Sequence, residues 1–555
     1  MSIDCSKCGT PFQVSKTDLA YYAKVSPVIG GLTLAIPPPT HCTACREQRR
    51  LAWRNERFLY HRKCDLSGKM CISCFSPDTD IKAYEHHEWF SDKWDAKSFG
   101  REFDFSRSFF EQFAELQRDV PQLGLSVWNS ENADYCNYVG HVRNSYLIFG
   151  SVYSEDCYYG SPYYSKDCVD TLVVRECERC YECVDCRKLH TCFYCQDCHS
   201  SNDLIYCYDL LGCKDCIGCA GLRNKQYCIF NNQYSREKYE TMKQELDLNV
   251  PEIHQKLRSE LQKLSLTIPR RYMQANQAEN VSGNYIYQCK NVHDSFYTDR
   301  SEDCSYCAQV VDLKDCMDNN YTEENELCNE YLGAYQNNRV CFSKFCNLVN
   351  DALYCDCCHS SGNLFGCIAV RNSRHCILNK QYEQQEHEKL VTRIIEHMRE
   401  TGEWGEFFPI ALSPFGYNET VAQEYFPLEE SAVSASGWNW RKIKENAEMY
   451  KGPVVPFPES VENLDASFCE KILQCEKTGK LYRIIDRELE FYKSLHLPIP
   501  RFCPNVRNSE RLSLRNPRQL WDRSCSKCQI PIRTSYHPER PEIVYCESCY
   551  LSSVR

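Results

Sequence analysis

Residues 177–198 read CERCYECVDCRKLHTCFYCQDC, and every cysteine in this stretch lies on one three-residue lattice. The lattice extends in both directions, so that all thirteen cysteines from Cys168 to Cys228 fall on it. The positions between them carry mainly Asp, Glu, Lys, Arg and Tyr. An α-helix repeats every 3.6 residues and a strand every two, so neither explains this period. The pattern predicts a narrow solenoid whose small side chains point inward.

The pattern is duplicated between residues 289 and 376, where ten of twelve cysteines share a lattice and Cys341 and Cys357 do not. Gly218-Cys219 recurs as Gly366-Cys367, which sets an offset of 148 residues between the copies. Cysteines also recur every twelve residues within a copy, which predicts a twelve-residue coil. In the first copy these are Cys183, Cys195, Cys207 and Cys219.

The 41 cysteines in 555 residues raise the question of the redox compartment. The chain begins Met-Ser-Ile-Asp, which is not typical of a signal peptide, and no run of eighteen apolar residues predicts a membrane span. We therefore expect a cytoplasmic protein with reduced thiols, no membrane association and no small-molecule substrate. The alternative is an exported chain with disulfides inside the coils, such as Cys177 with Cys183 or Cys192 with Cys198.

Both ends of the chain carry paired Cys-x-x-Cys motifs, which are typical of a tetrahedral zinc ribbon. Four thiolates leave no open position for a reacting water, so each site is expected to be structural. We predict two Zn²⁺ ions as the only cofactors. The predicted ligands are Cys5, Cys8, Cys42 and Cys45 at the start, and Cys525, Cys528, Cys546 and Cys549 at the end.

The two ends are also duplicates of each other, and each contains a tandem pair of ribbons of which one has lost ligands. Ser67, Glu85 and Glu88 replace three cysteines in the second N-terminal ribbon, and Thr478 and Val506 replace two in the first C-terminal ribbon. A weaker, compensating zinc site is conceivable near the start of the chain. Its candidate ligands are Cys64, Cys71, Cys74 and His87.

This layout resembles an uncharacterised family of cysteine-rich zinc-ribbon proteins known from genomes of small uncultured bacteria. The resemblance covers nearly the whole chain, including Cys-Thr-Ala-Cys-Arg-x-x-Arg-Arg-Leu at 42–51, the stretch 104–113, Glu-Trp-Gly-Glu-Phe-Phe at 403–408 and the C-terminal ribbon. It implies zinc binding at both ends and supplies no activity that could be carried over to this chain. This chain departs from the family pattern at the two ribbons that have lost ligands.

The net charge is −11, but basic residues concentrate at the ends, with ten Lys and Arg against four acids in residues 1–64. Arginines at helical spacing beside a zinc ribbon predict a nucleic-acid contact. Two alternatives remain: a protein–protein scaffold using acidic solenoid faces, and a thiol-based metal buffer or redox protein with Cys341 and Cys357 as reactive thiols. The candidate contacts are Arg46, Arg50, Arg54 and Arg57, with Arg507, Arg511, Arg515 and Arg518.

No phosphate loop, nucleophile elbow or His-Glu-x-x-His motif is present, so the sequence indicates a binding or scaffold protein and no catalytic residue. The predicted fold is mainly β with α: two narrow β-solenoid repeats with helical caps, flanked by zinc-ribbon domains. The predicted divisions are ribbons at 1–90, a helical linker at 91–130, solenoids at 131–234 and 281–382, a spacer at 235–280, a capping helix at 383–402, a connector at 403–465 and ribbons at 466–555.

Overall fold

Two long sheets of mostly parallel strands dominate the computed structural model, which describes residues 1–442 and 450–554. The predicted connector at 403–465 includes 443–449, which lie outside the described residues. The eleven-stranded sheet, here the first stack, contains Val127–Trp128, Glu131–Asp134, Asn137–Gly140, Arg143–Val152, Tyr158–Tyr163, Val169–Arg175, Arg187–Phe193, His199–Ile205, Lys214–Ile217, Gln226–Ile229 and Asn232–Gln233.

The twelve-stranded sheet, here the second stack, repeats this arrangement. Its strands are Ala275–Asn276, Glu279–Tyr287, Lys290–Asp299, Glu302–Ser305, Ala308–Val311, Met317–Glu323, Asn329–Tyr335, Asn338–Lys344, Asn350–Leu353, Gly362–Phe365, Arg374–Ile377 and Lys380–Gln381. In both stacks most neighbouring strands pair in parallel with a register of twelve residues, for example Arg187 with His199 and Leu364 with Cys376. The predicted twelve-residue coil is confirmed.

The three-residue period of the lattice also appears in the backbone conformation. The residue before nearly every lattice position has a left-handed conformation, as at Glu182, Asp185 and Asp197, with φ values of 50°, 53° and 54°. A left-handed residue at every third position gives four corners per twelve-residue coil. Asn, Asp and Gly are frequent there because they adopt this conformation at the lowest cost.

The lattice cysteines are buried inside the coils, as predicted, and none of the 41 cysteines forms a disulfide. Their sulfur atoms lie within hydrogen-bond range of main-chain carbonyls of their own and neighbouring coils. Cys183 Sγ, for instance, is 3.5 Å from the carbonyl oxygen of Tyr181 and 3.3 Å from that of Cys192. A thiol is small enough for the narrow interior and supplies a weak donor there. These cysteines are therefore architectural.

Helices close each stack at its C-terminal end. Tyr239 of the first spacer helix is fully buried, and Val391 and Ile394 lie in the core beside the end of the second stack. The helix of the predicted linker spans Phe109–Asp119, and its N-cap Ser108 accepts a hydrogen bond from the backbone N–H of Glu111. The α-helices up to the second cap are Lys16–Val25, Thr43–Leu51, His86–Phe90, Phe109–Asp119, Arg236–Gln244, Pro251–Thr267 and Gln384–Glu400.

The remaining elements belong to the two ends and the connector. The later α-helices are Val421–Tyr425, Glu430–Ala435, Asp486–Ser494, Pro504–Ser513 and Glu547–Ser553, and 3-10 helices span Ala96–Phe99, Ile410–Leu412, Tyr417–Glu419 and Ala466–Glu470. The short strands are Ser2–Asp4, Pro11–Gln13, Val28–Ile29, Leu32–Thr33, Tyr60–Lys63, Met70–Ser73, Ala83–Tyr84, Gln122–Leu123, Arg270–Arg271, Leu473–Gln474, Leu481–Tyr482, Trp521–Ser524, Pro531–Thr534 and Val544–Tyr545. None of the helices in the described ranges is long and apolar enough to cross a membrane.

Each end of the chain packs on the stack that is farther from it in sequence. The N-terminal arm (residues 1–123) packs its helix Thr43–Leu51 on the strands around Met317–Glu323 of the second stack. The C-terminal arm (residues 466–554) packs its helix Pro504–Ser513 on Val169–Arg175 of the first stack. Each stack is thus clasped by the arm from the opposite end of the chain.

Candidate metal centres

The four N-terminal cysteines converge at the tip of the N-terminal arm. Cys5 and Cys8 lie in a turn after the first strand, and Cys42 is the N-cap of the helix that carries Cys45. One sulfur from each residue lies within 4.8 Å of the others, and the sulfurs of Cys8 and Cys42 are 3.8 Å apart. Two ligands of a tetrahedral zinc with Zn–S bonds of about 2.3 Å would be ~3.8 Å apart. The cluster therefore fits such an ion.

The C-terminal cluster repeats this geometry. Cys525, Cys528, Cys546 and Cys549 again place their sulfur atoms within 4.8 Å of one another, and Cys528 and Cys546 Sγ are 3.7 Å apart. The backbone N–H of Cys546 donates to Cys525 Sγ at 3.2 Å, as that of Cys42 does to Cys5 Sγ at 3.3 Å. Each cluster can hold one metal ion such as zinc.

The local electrostatics favour thiolates at some positions of each cluster, since the pKa of Cys42 and Cys546 is lowered whereas that of Cys45 and Cys549 is raised. Burial alone would raise the pKa of Cys525, but backbone N–H groups of Cys528 and Cys546 outweigh it and lower the pKa to about 6. The backbone N–H of Cys549 likewise lowers the pKa of Cys546. Cys42 and Cys546 are also helix N-caps, where the helix dipole stabilises negative charge. A thiolate is the form that binds metal.

The two degenerate ribbons keep the fold of the intact ones. In each of the four copies the first cysteine closes the same turn, through a hydrogen bond from the N–H four residues later to its carbonyl oxygen. At Cys64 and Cys475 this donor is Gly68 or Gly479, and both bonds measure 2.8 Å. Glu85 and Cys503 are helix N-caps, as Cys42 and Cys546 are in the intact copies. The sequence duplication is confirmed as a structural one.

The residues of the weaker predicted zinc site, Cys64, Cys71, Cys74 and His87, do not come together as a set of ligands among the described residues. Among the described residues, the groups of three or more ligands that can hold a metal are the two four-cysteine clusters. Cys74 is buried in a separate apolar cluster with Phe75, and burial raises its pKa. The side chain of His87 is 92 % exposed and pairs with Glu85 at 3.0 Å. Packing and hydrogen bonds hold this ribbon without the proposed ligands.

The arginines predicted to contact nucleic acid face the stacks. Their side chains are at most 13 % exposed, and each lies within ion-pair distance of an acid of the same chain. Arg46 Nε is 2.9 Å from Asp318, and Arg50 Nη1 is 2.8 Å from Glu330. These arginines are buried and paired with acids of the same chain, so they do not form an exposed basic surface.

The C-terminal arm forms the equivalent ion pairs with the other stack. Arg507 pairs with Asp170, and Arg511 Nη1 lies 3.0 Å from both Asp170 and Glu182. These two acids precede Asp318 and Glu330 by 148 residues, the offset between the copies. Sequence reasoning found both duplications but did not combine them. The acids recur at the same offset in the two stacks, and the arginines recur at equivalent positions in the two arms. This combination was the signal that could have predicted the interface.

The two thiols that lie off the lattice are not activated. Cys341 is 2 % exposed, and burial raises its pKa to about 12. Cys357 is half-buried, its sulfur lies 3.7 Å from His359 Nε2, and burial raises its pKa as well. A reactive cysteine needs a lowered pKa, so neither residue has the environment predicted for it.

No known family model and no curated protein sequence matches this chain. The family assignment suggested by the sequence resemblance therefore has no support from these comparisons. The findings establish a cysteine-rich protein with a four-cysteine cluster near each end.

Proposed function

We propose that this protein is a non-enzymatic, zinc-binding scaffold in which the two stacks are narrow β-solenoids held side by side by zinc-ribbon arms. The observation that carries the proposal is the pair of four-cysteine clusters, each with sulfur atoms within 4.8 Å of one another. Closed sites with four thiolates are structural, because they leave no position for a reacting water. Zinc would stabilise the arms, and the arms would clasp the stacks.

Cobalt substitution tests the metal geometry directly. Protein loaded with Co²⁺ should show the intense visible absorption of a tetrahedral four-thiolate site, with two ions bound per chain. Cys8→Ser and Cys528→Ser should each remove about half of this absorption. Cys71→Ser is the matched control, because Cys71 is half-buried and lies outside both clusters. Loss of absorption in the control, or a spectrum without tetrahedral character, would contradict the proposal.

A protein partner is a second candidate, because the second stack exposes more acids than bases on its outer faces. Its six exposed acids are Glu279, Glu302, Asp303, Glu324, Glu326 and Asp351, and its five exposed bases are Lys290, Arg300, Lys314, Arg339 and Arg374. Nucleic-acid binding through the eight arginines is not part of the proposal, since these side chains are buried and paired. A partner that remains bound after nuclease treatment and dissociates in high salt would support the acidic-face scaffold.

A further inference from the structure

A slot of about 450 Å³ runs between the two stacks. One wall follows a ladder of strand-paired residues in the first stack, which includes Trp128, Val152, Tyr163 and Arg175. The facing wall follows the equivalent ladder of the second stack, which includes Asp299, Glu323, Tyr335 and His359. The slot has the size of an ordinary small-molecule site.

Most charges along the slot are neutralised within the protein. Arg175 and Arg187 of the first stack lie 3.5 and 3.3 Å from Asp299 of the second, so that one carboxylate joins the two walls. Lys344 pairs with Asp356 beside them. A strongly charged ligand would have to compete with these internal partners.

Several uncharged polar groups that line the slot have no protein partner. Within the described ranges, the hydroxyl groups of Tyr138, Tyr163 and Tyr287 make no hydrogen bond, and neither does the side-chain amide of Gln117, a residue only 3 % exposed. The three tyrosines are half-buried, so their hydroxyl groups are free to form hydrogen bonds with a polar occupant of the slot. Glu323 adds a half-buried carboxyl group that forms no ion pair in the same part of the chain.

Hydroxyl, amide and carboxyl groups beside aromatic rings form a set that suits a ligand with many hydroxyl groups. Each tyrosine hydroxyl can both donate and accept a hydrogen bond, and the amide of Gln117 can do the same. Tyr153 and Tyr164, which are 52 % and 45 % exposed, stack at the slot with ring centroids 5.2 Å apart. We propose that the slot between the stacks binds a small, uncharged, hydroxyl-rich molecule, a mono- or disaccharide or a comparable polyol.

Ligand-observed saturation-transfer NMR on the full-length, zinc-loaded protein tests this inference. The probes are glucose, maltose and trehalose at millimolar concentration, compared with glucosamine and glucuronate as charged counterparts. At least one neutral sugar should show transfer that exceeds both charged sugars. Glu323→Gln and Tyr335→Ala should weaken that binding, by about tenfold for the loss of the charge-assisted hydrogen bond at Glu323.

Glu178→Gln is the control, because Glu178 is exposed and does not line the slot. It should bind as the unmodified protein does. The inference is overturned if none of the three neutral sugars gives a signal, if a charged sugar binds better, or if both slot variants bind like the control. Far-ultraviolet circular dichroism of each variant would separate loss of binding from loss of folding.

Discussion

At the scale of single residues, buried ion pairs join the arms to the stacks. Arg50 lies between Asp318 and Glu330, and it is fully buried. Arg511 occupies the equivalent position between Asp170 and Glu182. A buried pair gains little over an apolar contact, but removing one partner leaves an uncompensated charge in a medium of low dielectric constant. These arginines therefore determine whether each arm can dock.

Replacing Arg50 by alanine should destabilise the protein by about 3–5 kcal/mol, because Asp318 and Glu330 would remain buried without their partner. Chemical denaturation of the zinc-loaded protein measures this change. Arg339→Ala is the matched control: Arg339 pairs with Asp351 at 2.6 Å, but its side chain is 56 % exposed, so its loss should cost at most ~1 kcal/mol. Equal effects of the two variants would show that the arm does not dock as described.

The environment of Glu182 predicts a pH dependence of stability. Burial raises the pKa of this carboxyl group from 4.5 to about 7, even though Arg511 opposes the shift. Between these two values the folded state binds more protons than the unfolded state, so stability should fall as the pH rises through this window. Glu182→Gln should flatten this slope by up to about 1.4 kcal/mol per pH unit.

Urea denaturation at a series of pH values from 4.5 to 8 measures the slope. Glu178→Gln, one coil corner away and exposed, should leave it unchanged. A slope that is identical in the Glu182 and Glu178 variants would contradict the assigned role of burial at Glu182.

At the scale of elements, the four copies of the Cys-x-x-Cys turn show which features remain where two or three of the four cysteines are replaced. The degenerate copies keep the turn, the helix N-cap and the backbone hydrogen bond to the first cysteine sulfur, as from Glu85 to Cys64 at 3.4 Å. A hydroxyl group occupies the second ligand position in both, and Thr478 Oγ1 lies 4.0 Å from Cys503 Sγ. The ribbon fold is therefore kept by its backbone, its packing and these side-chain contacts.

Restoring the lost ligands should restore a third metal site. The double variant Thr478→Cys and Val506→Cys places cysteine at all four ligand positions of the first C-terminal ribbon, whose backbone already has the required turn and N-cap. Zinc content should rise from two to three ions per chain. Thr478→Cys alone is the control and should leave it near two. If the double variant also binds two, this ribbon does not share the geometry of the intact copies.

The coil itself could be predicted from the sequence, because a strict three-residue period admits few folds. The spacing of the cysteines from Cys168 to Cys228 predicted both which side chains point inward and the twelve-residue register between neighbouring strands. The left-handed corners could not be read in the same way, because Thr191 and Val173 occupy them as well as Asp and Asn, with φ values of 53° and 52°. The coil geometry overrides the residue preference at those positions.

At the scale of the whole molecule, the sequence did not reveal the crossing of the arms. An arginine at helical spacing and an acid on a solenoid face both look like surface residues when each is considered alone. Arg46 and Asp318 are separated by 272 residues, and only the folded chain brings them together. In the crossed arrangement each arm, with its four-cysteine cluster, packs on the stack that is farther from it in sequence.

Metal content combined with a count of free thiols, on protein purified anaerobically without a histidine tag, tests this account most directly. Two zinc ions per chain, with the cysteines outside the two clusters all titrating as free thiols after denaturation, is the result that the account predicts. Stoichiometric iron, or many more than two metal ions per chain, would contradict it. The cysteine lattice would then be a metal site, and the interior of the stacks would have to be explained anew.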